Sequence, residues 1–277
     1  MNNRSILITG CSSGIGYCVA RGLAGRGYRV FATARKHADV ERLVAEGLEG
    51  LQLDLDDSAS IKAAVAEILA RTGNHIDAVF HNGAYSQPGA VEDLRRDVLR
   101  RQFETNLFGW HELNNLVLPV MRAQGHGRII YNSSILGFTA MRFRGAYNAS
   151  KFALEGLVDT LRLELRGTDI HVSLIEPGPI TSRIRPNAWA AYQANIDPEN
   201  SPHREVYRRL EARLQQEGAV VPFTLGPEAV LKRVIHALER RRPKDRYYVT
   251  FPTYLFAFLK RILPGRLLDR LLARAGG

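Results

Sequence analysis

Short apolar runs alternate with longer amphipathic ones along this chain, and that alternation limits the possible folds more than any other feature. "SILITG", "RVFATA", "LQLDL", "IDAVFHN", "RIIYNSS", "IHVSLIEPG" and "RYYVT" read as strands, and most intervals between them are long enough for a helix. Strands that are apolar on both faces, with helices between them, need cover on both sides. The expected fold is therefore α/β: a doubly wound, mostly parallel seven-stranded sheet with helices on both faces. The chain has 277 residues, 45% of them hydrophobic, enough for one large domain with a real core. No repeat, low-complexity tract or linker divides it. After the sixth strand, "IRPNAWAAYQANIDPENSPHREVYRRLEARLQQEGAVVPF" breaks the pattern. Its prolines and scattered aromatics are expected to form a mobile lid or substrate loop at about 183–225 within a domain spanning 1–250. An amphipathic basic tail, 251–277, follows.

Charge and cysteine usage narrow the function classes. Lys and Arg number 38 against 28 Asp and Glu. From Glu239 onward the count is ten against three, so the excess is concentrated at the C-terminal end. Zinc-finger spacing and RNP-type aromatics are missing, so no nucleic-acid partner is expected. Cys11 and Cys18 form no CxxC pair and no cysteine–histidine cluster, so no metal site is expected. The N-terminus runs directly into the first strand without room for a signal or transit sequence, and the expected location is cytoplasmic.

The first strand leads into "TGCSSGIG", with glycines at 10, 14 and 16. Such a turn, opening into a helix, lets backbone N–H groups and the helix N-terminus meet a pyrophosphate. Its spacing differs from G-x-G-x-x-G. At the end of the second strand, "VFATARK" places Arg35 and Lys36 where an acid would hold the ribose hydroxyls of NAD. Arg35, assisted by Ser13, suits a 2′-phosphate instead, so the cofactor reading is NADP(H). Asp39, the rival acid, falls in the first turn of the next helix. Farther on, "YNASK" sets Tyr147 and Lys151 one helical turn apart. Lowering a phenol by about 3 pKa units takes roughly 4 kcal/mol, which a close ammonium in a dry cleft can supply. Alone, such a pair also suits a solvated helix face.

In combination these segments resemble the short-chain dehydrogenase/reductases across nearly the whole chain. "TGCSSGIG", "LDL" around Asp54, Asn106 in "FETNLFG", "IIYNSS", "YNASK" and "PGPI" occur in that family's order. "ILITGCSSGIG" with "VFATARK" is similar to the branch of 17β-hydroxysteroid and retinol dehydrogenases. The stretch from "FTLGPEAV" to "FLKRILPGR" is similar to bacterial NADP-dependent aldehyde reductases. The resemblance implies a Rossmann fold and four catalytic positions. Tyr147 is the general acid/base, Lys151 its cation and the holder of the nicotinamide ribose, Ser134 the carbonyl donor, and Asn106 the anchor of a proton-relay water. Ser133 has the same chemistry as Ser134. The thirteen-residue spacing to Tyr147 selects Ser134.

For cofactor binding the resemblance implies Gly10, Ser12, Ser13, Gly14, Ile15 and Gly16 in the turn and Arg35 after it. Asp54 and Leu55 lie at the adenine, Asn82 and Gly83 at its ribose. Pro177, Gly178 and Ile180 hold the nicotinamide, with Ser182 near its carboxamide or the phosphates. The family's N-N-A-G is replaced here by "HNGA", which introduces His81. The expected activity is hydride transfer between NADP(H) and an apolar aldehyde or ketone, or the corresponding alcohol. The alternatives are a steroid or retinoid alcohol dehydrogenase and, in another class, an NADPH-binding regulatory protein. Tyr85, Met141, Phe143, Trp189 and Tyr192 are expected near the pocket mouth. The regions 94–121 and 145–166 are expected to form a homodimer or homotetramer interface. The tail is expected mainly to pack on the body, with peripheral membrane contact as the other reading.

Overall fold

The computed structural model describes residues 4–216, 218 and 221–275. Its strands are β1 (Ser5–Ile8), β2 (Arg29–Ala34), β3 (Glu49–Gln52), β4 (Ala78–His81), β5 (His126–Asn132), β6 (Asp169–Glu176) and β7 (Arg246–Tyr248). They form one seven-stranded sheet in the order 3-2-1-4-5-6-7, with every pairing parallel. The third strand ends sooner than "LQLDL" suggests. Leu53 still donates to Ala34 at 3.1 Å, but Asp54 then folds its carboxylate onto the Asp56 N–H at 3.1 Å and turns the chain away.

The helices are α1 (Gly14–Ala24), α2 (His37–Ala45), α3 (Ser58–Thr72), α4 (Arg96–Phe103), α5 (Gly109–Gln124), α6 (Gly145–Glu164), α7 (Ile184–Asn195), α8 (Arg204–Gln215), α9 (Glu228–Glu239), α10 (Phe251–Ile262) and α11 (Gly265–Ala275). A π-helical turn, Glu104–Phe108, joins α4 to α5. The period-two geometry of each strand sorts its side chains between two layers. Ile6, Ile8, Val30, Ala32 and Phe80 pack with α1, α2 and α9 through Val19, Leu23, Leu43 and Val234. Leu7, Phe31, Val79 and Ile129 pack against α3, α5 and α6 through Ile61, Val65, Trp110, Val117 and Leu154. Removing one large side chain from such a layer, Trp110 for example, costs about 3–5 kcal/mol.

The chain winds outward from β1 through β2 to β3, then returns to β4 and winds the other way. The crevice where the order reverses, at the carboxyl ends of β1 and β4, is the position such a sheet gives to a ligand. Within 183–225, where a loop was expected, α7 and α8 pack together over this end. They bury Ala188, Tyr192, Tyr207 and Leu214 with Ala90 and Ile196 in a third apolar cluster. The apolar spacing of these segments, interrupted only at "DPENSP", explains why they fold as helices.

Candidate active site

The turn after β1 is a backbone device. Gly10 has φ +71°, and a Cβ there would lie 2.6 Å from Gly83 Cα. At Gly16 a Cβ would lie 2.2 Å from the Gly10 carbonyl oxygen. Side chains at these positions would close the approach between the β1 turn and the end of β4. Ser13 is the N-cap of α1, Ser12 is exposed, and Ile15 is half-buried. Thr9, which the sequence reading did not single out, ties the two strand ends together. Its hydroxyl accepts from Asn82 N at 2.8 Å and Gly83 N at 2.9 Å. Asn82 answers by donating its amide to the Thr9 and Gly10 carbonyls at 3.0 and 3.2 Å.

Arg35 leaves the end of β2 exposed to solvent, and Asp39 pairs with Arg42 at 3.6 Å in the first turn of α2. Arg42 is a second cation at the turn that sequence reasoning missed. It donates to the Ser12 carbonyl at 2.7 Å. Asp54 stands half-buried at the turn after β3, and Leu55, buried in the core, lies 3.1 Å from where a Cβ on Gly83 would be. From the far side, the segment after β6 reaches over. Pro177 accepts from Ile135 N at 2.8 Å, Ile180 bridges to Leu225, and Ser182 Cβ would sit 3.1 Å from a Cβ on Gly14. Gly178 is held against α10. A Cβ there would meet Thr250 Oγ1 at 2.1 Å.

The serine, tyrosine and lysine singled out in the sequence lie beside that crevice. Ser134 follows β5, and its hydroxyl accepts from Leu136 N at 3.1 Å. The Ser133 hydroxyl donates instead to Glu155, inside a buried network with Arg246 and Glu176. Ser134 hydrogen-bonds Tyr147, while Ser133 is taken up by Glu155. Lys151 is buried, its Nζ donating to the Asn132 carbonyl at 2.8 Å and lying 4.4 Å from the Trp110 ring centroid. Asn132 in turn donates to Asn82 at 3.0 Å, linking the lysine to the β4 end. Trp110 donates its ring N–H to Gly83 at 2.8 Å.

Electrostatically, burial pushes the Tyr147 phenol up to about 12, with the Ser134 hydrogen bond opposing it. Burial pushes the Lys151 ammonium down to about 7, opposed by Glu155. The sequence reading has Lys151 hold the phenol low; Lys151 is not among the causes of the phenol's shift. The ammonium is spent on a carbonyl and an indole face, 5.7 Å from the Tyr147 ring centroid, and desolvation dominates. Asn106 sits within the π-helical turn. Its side chain accepts from Tyr85 N at 3.1 Å and donates to Tyr85 O at 3.0 Å and Ser150 Oγ at 3.3 Å. Both amide protons are used, so a water there must take the main-chain carbonyl or the remaining Oδ1 lone pair.

Other expected residues divide. Tyr85, Met141 and Trp189 are half-buried. Phe143 and Tyr192 belong to the third apolar cluster, with ring centroids 5.9 and 5.6 Å from Tyr207. His81 is buried and stacked on Tyr131 at 4.5 Å. Burial pushes its imidazole down to about 3, so it stays neutral. The crevice suits a dinucleotide on its own chemistry. The glycine cradle exposes backbone donors, the α1 N-terminus adds its positive end, and buried Asn132 Oδ1 has no hydrogen-bond partner among the described residues.

A glycine turn at the switch point of a doubly wound parallel sheet, with serine, tyrosine and lysine gathered beside it, defines the class: an α/β oxidoreductase. Residues 4–193 match the short chain dehydrogenase family. The chain belongs to the short-chain dehydrogenase/reductase family. It is 42% identical to the uncharacterized oxidoreductase YbbO of Escherichia coli strain K12, covering 97% of this chain and 94% of that one. Human retinol dehydrogenase 8 is 32% identical, covering 88% of this chain and 80% of its own. The NADPH-dependent 3-dehydrocapnine reductase of Ornithobacterium rhinotracheale is 28% identical, covering 97% and 95%.

Proposed function

We propose that this oxidoreductase transfers a hydride between NADP(H) and an apolar aldehyde or ketone, or the corresponding alcohol. The observation that carries the reading is the buried Ser134–Tyr147–Lys151 group beside the Gly10–Gly16 turn. When bound, the nicotinamide supplies or takes the hydride. The chain's own residues do the rest. Tyr147, protonated at neutral pH, gives its proton to the developing alkoxide, and the Ser134 hydroxyl polarises the carbonyl. Lys151 fixes the nicotinamide ribose, and the π-turn at Asn106 replenishes protons. The three glycines with Ser12, Ser13 and Ile15 cradle the phosphates. Asp54, Leu55, Asn82 and Gly83 hold the adenosine end, and Pro177, Gly178, Ile180 and Ser182 the nicotinamide end.

Arg35 supports NADP(H), as does the likeness to the NADPH-dependent 3-dehydrocapnine reductase. Cells keep the NADP pool reduced, so carbonyl reduction is the working direction. A steroid or retinoid alcohol as substrate is favoured by the likeness to retinol dehydrogenase 8. The regulatory alternative is weaker, because such a protein has no need of an intact proton-transfer group. A cytoplasmic homodimer or homotetramer fits exposed Phe108, Phe152 and Leu157 on the expected interface helices.

The cofactor reading is tested by comparing NADPH and NADH in turnover of a carbonyl panel, with Arg35→Asp alongside. Loss of one charge-assisted phosphate contact should lower kcat/KM for NADPH by about 10–100-fold and leave NADH nearly unchanged. Equal use of both cofactors by the native protein would contradict it.

A further inference from the structure

At the N-terminal edge of the sheet, opposite the strand ends that carry Ser134, three side chains converge from two turns. His75 and Asp77 lie just before β4, and His126 opens β5. One carboxylate oxygen, Asp77 Oδ1, stands 3.1 Å from His75 Nε2 and 3.3 Å from His126 Nε2. One donor atom from each residue lies within 4.8 Å of the other two. The second carboxylate oxygen is already committed. Asp77 Oδ2 accepts the Ser5 N–H at 2.7 Å and the Ser5 hydroxyl at 3.0 Å. The backbone is fixed as well, since Arg128 N donates to the Asp77 carbonyl at 2.9 Å across β4 and β5.

The ring orientation adds to the convergence. His126 Nδ1 faces the Gln124 carbonyl at 3.1 Å, which can only accept, so Nε2 is the nitrogen turned toward Asp77 Oδ1 at 3.3 Å. An imidazole tied to a carbonyl through one nitrogen, with the other aimed at a shared point, is the arrangement by which proteins hold metal-bound histidine. Tetrahedral zinc with arms of about 2.0–2.1 Å separates its ligand atoms by about 3.3 Å. The 3.3 Å distance matches that edge, and the 3.1 Å distance falls slightly inside it.

We propose that His75, Asp77 and His126 bind a divalent transition-metal ion of the zinc type, with water completing the tetrahedron. The ion ties together the starts of three neighbouring strands, β1 through Ser5, β4 through Asp77 and β5 through His126. The two histidine side chains are 40% and 47% exposed, so the ion can enter from solvent. Arg4 and Arg128 line the adjoining cleft with Asp77 and His126, and their positive charge opposes a bound cation.

The test is calorimetric titration of metal-stripped, tag-free protein with zinc chloride. One equivalent should bind saturably, and saturating zinc should raise Tm by about 5 °C. His75→Ala and His126→Ala should each weaken binding at least about tenfold. His111→Ala, at an exposed histidine outside the cluster, should leave it unchanged. No saturable uptake, or uptake that survives both cluster substitutions, would overturn the proposal.

Discussion

Tyr147 and Lys151 are displaced from their ordinary titration in opposite senses, and desolvation is the first cause of both shifts. The lysine shift has a stability consequence with a definite sign. Lys151 is brought down to about 7, so over the interval up to its ordinary value of about 10.4 the folded chain holds fewer protons than the unfolded one. Its contribution is complete above the ordinary value and is lost as pH falls through about 7. Calorimetric Tm of the native protein should therefore fall, relative to Lys151→Met, as the pH is lowered from about 10 to about 6. A difference that stays flat with pH would mean that the ammonium is solvated. Not all of this was legible in the sequence. The four-residue spacing of Tyr147 and Lys151 announces a shared helix face, but burial depends on Trp110 and Asn132, which arrive from other elements. Likewise, spacing to Tyr147 already singled out Ser134, but the buried Glu155 that takes up the Ser133 hydroxyl is revealed by no local pattern.

Elements were readable where one period governed a whole segment and less so where tertiary contacts set the limits. The strands before α1 and α2 stand where the apolar runs placed them. The third strand was cut short by Asp54, and the expected loop became α7 and α8 because its apolar residues meet Ala90 and Phe143 from distant turns. The tail departs from simple packing in a different way. Its first helix uses Thr253 and Ala257 inward and ties Lys260 to the Phe138 carbonyl at 2.7 Å. Phe251, Tyr254, Leu255, Phe258 and Ile262 remain exposed along one face of that helix, and Leu267 and Leu271 are exposed on α11. Lys260, Arg261, Arg266 and Arg270 accompany them, against a single acid, Asp269. Among the described residues no helix is long and apolar enough to cross a membrane. An interfacial helix on an anionic surface fits this pattern, with about 1 kcal/mol for each basic residue near the headgroups. Full-length protein should float with phosphatidylglycerol vesicles, and Phe258→Glu with Ile262→Glu should abolish flotation. These exposed positions test the contact without disturbing Thr250 beneath Gly178. Unchanged flotation would exclude this face.

At the scale of the whole molecule, one sheet separates two kinds of site. The carboxyl ends of its strands gather Gly10, Asn82, Ser134 and Pro177 around the crevice where the winding reverses. The opposite ends gather His75, Asp77 and His126. Alternation of strands and helices announced the fold and the first of these ends. The second was hidden, because His126 lies 49 residues from Asp77 and only strand pairing makes them neighbours. The proposal that Tyr147 is the proton donor in a nicotinamide-dependent reduction stands or falls on NADPH absorbance followed with a reactive apolar aldehyde, native protein against Tyr147→Phe, while NADPH binding is monitored by its fluorescence. The variant should bind NADPH as the native protein does and lose at least about 100-fold in kcat. Turnover that survives the loss of this one hydroxyl would contradict it.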